Sequence, residues 1–388
     1  MRDKEISIAF VEFSNKLVDK ERDVLDILNR EHFYKKSADI GYIKTDDFTE
    51  FPQWTNYIAS LFNKARKELI ICRDIKDTIS QLNDVTYDYV FFSAIESTRE
   101  LISNIIKGLN NDYTKFIIGN GIGSHMRIRN SSKKNIFIYD TINEFANTHT
   151  ISMTKLFPCS YTVMEENYNP RIYTTRGCKF NCKFCENDGK FYSMSISELR
   201  DQISITYPGN LIYVGNKTFL QGGKDELKSL RIFDNTKGFI VQTNPLTLLQ
   251  NIDILHLLSS YNIKVVELGI ESFDEDTLLS LGKPHVSIDD LTIIVRMLNS
   301  FGIKVIFNIM LGIPGDTNIG YRTTMAYLYG FRDLIFALNI TNYSDYSSSN
   351  KIDRDERYLF NKSWVTNKDA LSVFQQDIYK FNYELLNR

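Results

Sequence analysis

The sequence predicts an α/β protein in two parts: a Rossmann-like amino-terminal domain, then a partial (β/α)6 barrel of TIM type with a C-terminal helical tail. Three observations predict it. Short β-rich runs alternate with helical stretches through most of the chain, as parallel strands and crossover helices do. The alternation stops near residue 147 and restarts at Arg171. The length, 388 residues, exceeds that of a usual single domain.

In the first part the strand candidates are ISIAFVEF (6–13), ELIIC (68–72), DYVFFS (88–93), KFIIG (115–119) and NIFIYD (135–140). Ser97–Leu109 places Leu101, Ile105 and Leu109 on one helical face between two of them. Residues 147–169 lack periodicity and run into Asn-Pro, a turn signal. The expected division is therefore a domain at 1–150, a linker at 151–169, a barrel at 170–345 and an extension at 346–388. The barrel strands are RIYTTRG (171–177), NLIYVG (210–215), GFIVQTN (238–244), VVELGIES (265–272), KVIFNIML (304–311) and LIFALNIT (334–341). Helices are expected between them, including Ser197–Ile205, Thr247–Tyr261 and Ile288–Phe301. Six such units in about 175 residues suit an open barrel, because a closed one of eight usually needs about 250. A Ser- and Asn-rich loop, Tyr346–Lys351, precedes a terminal helix. There Leu371, Phe374, Ile378 and Leu385 form an apolar stripe that packs on the barrel.

Hydrophobic residues at 43% and charged residues at 24% are the balance of an ordinary soluble domain. The net charge of −2, with Lys and Arg scattered among Asp and Glu, leaves no clustered nucleic-acid footprint. No run approaches the roughly 18 to 20 apolar residues of a spanning helix. The first ten residues carry charges where a secretory signal has its apolar core. The expectation is a cytoplasmic protein with no membrane partner.

Of five cysteines, Cys178, Cys182 and Cys185 crowd into eight residues, while Cys72 and Cys159 stand alone. Neighbours this close cannot all pair as disulfides, so in a reducing cytosol the trio reads as a metal site. Three thiolates on one loop can hold three irons of a cubane and leave the fourth open to a ligand. Structural zinc normally takes four ligands; no fourth Cys or His lies nearby, and His149 and Cys159 are too isolated. The loop follows the carboxyl end of RIYTTRG, the edge where barrel sites form. A noncatalytic iron-sulfur or zinc protein remains the alternative from another class.

The segment Arg176-Gly177-Cys178-Lys179-Phe180-Asn181-Cys182-Lys183-Phe184-Cys185, with an aromatic residue before its last Cys, resembles the signature of the radical S-adenosylmethionine (SAM) superfamily. The resemblance extends over about residues 171–345. It implies a four-iron, four-sulfur (4Fe-4S) cluster on the three cysteines, with the amino and carboxylate groups of SAM on the fourth iron. It also implies reductive cleavage of SAM to a 5'-deoxyadenosyl radical that abstracts hydrogen from substrate, and an electron donor such as flavodoxin or ferredoxin.

Downstream segments extend the likeness. Asn216, after NLIYVG, stands where the family approaches the SAM amino group; an ordinary turn Asn is the alternative. Thr243 and Asn244 put polar groups at the sheet rim, where a plain turn before Pro245 explains them too. Glu271 and Ser272 resemble the family's Gly-x-Glu-Ser segment, particularly in relatives of the cobalamin-binding branch. A carboxylate ending a buried strand needs a partner, and SAM is the implied one. Residues 308–317 resemble the adenine-site pattern Gly-x-Ile-x-Gly-x-x-Glu: Gly312 and Ile313 fit, while Asn308 and Asp316 replace the outer Gly and Glu. Phe184 is expected to support the adenine, with a core aromatic as the alternative.

By domain order, the amino-terminal part resembles the cobalamin-binding domain that precedes the barrel in one branch of the superfamily. That branch often carries Asp-x-His-x-x-Gly, whose His ligates cobalt. The motif is absent here, since His32 and His125 have other neighbours. The loop Gly119–Gly123 could admit a corrinoid tail or a phosphate. Cys72 reads as buried packing, and Cys159 as a candidate relay or methyl-carrying thiol. The expected protein is a radical SAM enzyme, with a cobalamin-dependent methyltransferase as the alternative within enzymes. The substrate is not legible from these motifs.

Overall fold

A computed structural model describes residues 6–14, 17, 24–43, 55, 58–59, 62, 65–94, 98–110, 114–119, 135–139, 144, 148, 169–185, 190–203, 210–233, 236–343, 359–361 and 363–388. Cys159, His125, His149, the 120–123 part of the glycine loop, most of the 151–169 stretch and the 346–351 loop lie outside them. The chain divides into two compact units, Met1–Arg22 with Lys44–Tyr168, and Asp23–Ile43 with Asn169–Arg388.

The first unit contains β1 (Ser7–Phe13). Helix α1 (Val24–Ser37) follows in sequence but belongs to the second unit. The first unit continues with β2 (Arg66–Cys72), α2 (Ile75–Asp84), β3 (Tyr89–Ala94), α3 (Arg99–Gly108), β4 (Thr114–Gly119) and β5 (Ile136–Tyr139). Its strands form one parallel sheet in the order β2-β1-β3-β4-β5, a doubly wound arrangement with its switch point between β1 and β3. Residues Ile8–Val11 are fully buried, as an apolar run covered on both faces requires. Helix α3 buries Ile102, Ile105 and Ile106 against this sheet's core.

The second unit contains β6 (Arg171–Ile172), β7 (Thr175–Arg176), β8 (Tyr192–Ser193), α4 (Ile196–Asp201), β9 (Leu211–Val214), α5 (Gly223–Ser229) and β10 (Gly238–Thr243). It goes on through α6 (Pro245–Gln250), β11 (Ile263–Glu271), α7 (Glu275–Ser280), α8 (Ile288–Ser300), β12 (Lys304–Leu311), α9 (Asn318–Gly330), β13 (Ala337–Asn342) and α10 (Lys368–Leu386). Six strands pair in parallel in the order β13-β12-β11-β10-β9-β6, an open (β/α)6 sheet. Alternate residues such as Val241, Val266, Val305 and Leu338 join the core on the helix-covered face, while Ile240, Val265, Ile306 and Ala337 lie on the other.

Two helices from opposite ends of the sequence, α10 expected and α1 not, close the open edge together. Asn382 on α10 is fully buried; its Oδ1 accepts from the Leu338 amide (2.7 Å) and its Nδ2 donates to the Leu338 carbonyl (3.0 Å), capping the edge strand β13. The same Nδ2 donates to Asn29 of α1 (3.0 Å), and Tyr379 donates to Asp26 (3.3 Å). Residues 23–43 thus pack with the barrel unit, although their sequence position lies within 1–150. Leu371, Phe374, Ile378 and Leu385 are all buried, as the stripe predicts.

Two elements differ from their sequence pattern, each for a local reason. RIYTTRG is not one strand. Gln202 takes both backbone groups of Tyr173, accepting from its amide (2.7 Å) and donating to its carbonyl (2.8 Å), and Asn216 takes the Thr174 amide (2.9 Å). Side chains thereby replace the ladder and turn β7 into a short antiparallel pair with β8. Thr247–Tyr261 breaks at Asn251, whose side chain bonds the Thr247 carbonyl (2.8 Å), and continues as 3-10 turns.

Candidate active site

The cysteine loop leaves β7 through Gly177, which adopts φ +66°, a left-handed turn open to glycine at little cost. Cys178, Cys182 and Cys185 follow, all half-buried and free of disulfides. The Cys178 sulfur accepts from the Phe180 amide (3.5 Å) and from Gln221 Nε2 (3.4 Å). Gln221 also accepts the Lys179 amide (3.1 Å), and its carbonyl receives Lys179 Nζ (2.6 Å). On the other side the loop is braced by the end of α7: the Lys183 amide donates to Leu281 O (2.9 Å) and its Nζ to Ser280 O (2.6 Å).

Burial pushes the Cys182 thiol up to about 11, against the pull of Lys283, while the neighbouring thiols and Glu271 push it further. Burial raises Cys185 as well, opposed by Lys217 and Lys283. Thiols so placed ionise when metal charge compensates them. Among the described residues, no three or more His, Cys, Asp or Glu converge on a single ion. A cubane takes each thiolate on a different iron. The donor set fits a 4Fe-4S cluster.

Glu271 ends β11 with φ +67°, a left-handed backbone that costs a non-glycine residue roughly 1–3 kcal/mol and that clusters at functional positions. A register shift between Gly269 and Glu271 accompanies it. Its Oε1 receives Lys283 Nζ at 2.8 Å, with both side chains under 10% exposed. A Cβ on Gly269 would stand 2.8 Å from each of these charged atoms, so glycine there makes room for the pair. Lys283 Nζ also lies 5.7 Å from the ring centre of Phe184, within the cysteine loop.

Phe184 and Met310 pack against Leu281, Ile313 and Tyr343, which puts Phe184 and Ile313 in one apolar cluster beside the cysteines. Gly312, at φ +70°, has no space for a side chain, since its Cβ would stand 2.5 Å from Leu359. Trp364 Nε1 donates to its carbonyl (3.0 Å). Asp316 accepts the Ile313 amide (3.1 Å) and a Thr277 hydroxyl (3.2 Å), and burial pushes its carboxyl up to about 7. Asn308, in register with Gly269 and Asn339, is 7% exposed, and its Oδ1 has no hydrogen-bond partner among the described residues. Elsewhere in the buried polar set, Glu267 accepts from the hydroxyls of Tyr42 and Tyr213.

Four expected site residues are hydrogen-bonded within the protein. Asn216 accepts from the Thr174 and Thr175 amides (2.9 and 3.2 Å) and donates to Thr174 Oγ1 and Glu226 Oε1 (both 2.6 Å), which uses both ends of its amide. Thr243 donates to Phe219 O (2.6 Å). Asn244 caps α6 and donates to Pro284 O (3.1 Å). Ser272 accepts the Asp274 amide (3.1 Å) and lies 3.3 Å from Thr324 Oγ1. Sequence reasoning missed Lys283, Glu226 and Gln221. Only a partner across the fold marks them, apart from Lys283, whose place directly after the helix-ending Gly282 is a weak signal.

Residues 172–328, the part that forms the barrel, match the model of the Radical SAM superfamily. Within a 160-residue segment the chain is 28% identical to a hopanoid C-2 methylase of Rhodopseudomonas palustris (strain TIE-1), covering 38% of this chain and 30% of that relative. The chain thus spans less than a third of that relative's length. Two solved structures share the fold. TsrM from Kitasatospora setae, a radical SAM methyltransferase with cobalamin and a 4Fe-4S cluster bound, aligns with TM-score 0.54 at 12% identity over 87% of this chain and 75% of that one. OxsB, a cobalamin-dependent SAM radical enzyme with aqua-cobalamin and SAM bound, aligns with TM-score 0.57 at 14% identity over 97% and 56%. No helix among the described residues is long and apolar enough to cross a membrane.

Proposed function

We propose that the protein is a radical SAM enzyme of the cobalamin-associated kind, with its cluster on Cys178, Cys182 and Cys185. Bound there, the cluster and SAM supply reductive cleavage to a 5'-deoxyadenosyl radical for hydrogen abstraction. The protein's own residues bind, orient and shield. Gln221 and the Phe180 amide direct hydrogen bonds at the Cys178 sulfur, and the end of α7 fixes the loop that carries the other two. Phe184 and Ile313 supply an apolar wall suited to an adenine face, and Glu271 with Lys283 supplies the charged side. The observation that carries this reading is the trio of half-buried thiols at the carboxyl edge of a matched radical SAM barrel.

A second observation favours methyl transfer as the subtype. Both fold relatives use or bind cobalamin, and the first unit has a doubly wound sheet whose β1 is followed by Ser14, a fully buried hydroxyl with no partner among the described residues. The chain has no Asp-x-His-x-x-Gly, so no histidine of that motif serves the cobalt. The hopanoid named for the relative does not fix this substrate.

Anaerobic protein reconstituted with iron and sulfide, then mixed with SAM and dithionite, is expected to form 5'-deoxyadenosine, whereas Cys182→Ala forms none. Equal yields from the two would sink the reading. Retention of cobalamin after gel filtration, seen in the visible spectrum, separates the methyltransferase subtype from plain hydrogen abstraction.

A further inference from the structure

A lysine ammonium enclosed by protein needs a partner and is costly to keep. Lys283 has one in Glu271, but a surface pair elsewhere would have left nothing to bury, and a neutral pair would have filled the same space. The placement is specific. Gly269 leaves the space for both charges, Gly282 at φ +62° turns the chain out of α7 so that Lys283 points back, and the carbonyls just before it hold Lys183 of the cysteine loop. The ammonium stands 5.7 Å from the ring centre of Phe184, the residue before Cys185. One short turn thus fixes the cysteine loop, anchors the strained Glu271 and sets a buried positive charge beside Phe184 of that loop.

A metal cluster gains one negative charge on reduction, so a fixed cation nearby favours the reduced form and a fixed anion disfavours it. From this placement we infer that Lys283 is a positioning residue that holds Glu271 in its left-handed conformation and, by balancing that carboxylate, raises the reduction potential of the cluster. The inference rests on the cluster reading above. It assigns to a residue outside the cysteine motif the task of making the cluster easier to reduce.

The test uses the full chain reconstituted with iron and sulfide, without SAM, in redox titrations followed by electron paramagnetic resonance at pH 8. Lys283→Met is expected to shift the one-electron reduction equilibrium at least threefold toward the oxidised form, about 28 mV from 59 mV per tenfold. Lys283→Arg should stay within twofold of wild type. Glu271→Gln, which leaves the cation unbalanced, should shift at least threefold the other way. A purely structural lysine would not produce opposite signs about the wild-type potential. If Lys283→Met and Glu271→Gln both stay within twofold of wild type, the inference is overturned. Should Lys283→Met fail to load a cluster, the sign for Glu271→Gln decides, and no rise overturns it. Wild type that takes up no four-iron cluster would overturn the cluster reading along with this one.

Discussion

Two buried carboxylates flank the cysteine loop, and they are treated in opposite ways. Glu226, on α5, is 3% exposed and held only by neutral donors: Asn216 Nδ2 (2.6 Å), the Thr174 hydroxyl (3.2 Å) and the Gly222 amide (2.8 Å). Burial raises its pKa despite these bonds. Glu271 is 5% exposed, sits on strained backbone and is met by a lysine. The first network ties the break between β6 and β7 to the next βα unit and leaves no group over for a ligand. The second keeps charge and backbone strain at the mouth of the site. A carboxylate saturated by neutral donors is architecture, whereas one held strained against a cation is machinery.

That contrast is broken most directly at Glu226. Replacing it with Leu strands the Asn216 amide, the Thr174 hydroxyl and the Gly222 amide in a dry interior, and losses of this kind amount to about 3–5 kcal/mol. Glu226→Gln should also destabilise, because one amide oxygen cannot serve donors approaching both carboxylate oxygens. Calorimetry of the barrel transition checks this: a melting point within a degree of wild type for Glu226→Leu would show that the network is dispensable.

A smaller effect is expected at Asn216. Asn216→Ala should lose about 1–3 kcal/mol through the unpaired Thr174 and Thr175 amides and Glu226. SAM affinity of the folded, cluster-loaded protein should stay within twofold in a calorimetric titration, since both ends of the amide are already bonded within the protein. A tenfold loss of affinity with unchanged melting would return Asn216 to the ligand and erase the distinction between the two flanks.

Much of the architecture was legible because it is periodic. All five strand runs of the first unit and the later barrel strands fall where alternation and apolar runs place them, and the cysteine spacing announces its chemistry without any fold. What escaped was decided by side chains reaching across the sequence. Nothing within RIYTTRG says that Gln202 and Asn216 will take its backbone groups. Nothing in residues 23–43 says that Asn29 will meet Asn382, 353 residues away. Among the expected site residues, motif likeness could not foresee that Glu271 meets Lys283 while Asn216 and Asn244 bond within the fold. Both kinds are polar residues at strand ends, and only their partners tell them apart.

A third carboxyl, Asp316, lies between the two cases. It accepts an amide and the hydroxyls of Thr277 and Tyr321, meets no cation among the described residues, and burial lifts it to about 7. Its folded value lies above its unfolded one, so the native state binds the extra proton between about pH 4 and 7. The stability this proton contributes is full below pH 4 and is lost as pH rises through 7. At about 1.4 kcal/mol per pKa unit the change is on the order of 4 kcal/mol at most, spread over that window. Asp316→Asn mimics the protonated acid. It should melt like wild type near pH 5 and a few degrees above it at pH 8.5, where the wild type holds a buried charge without a cation. A variant-to-wild-type difference that stays flat across this range would mean that Asp316 keeps an ordinary carboxylate in the fold, and that neutral donors suffice to ionise a buried acid here.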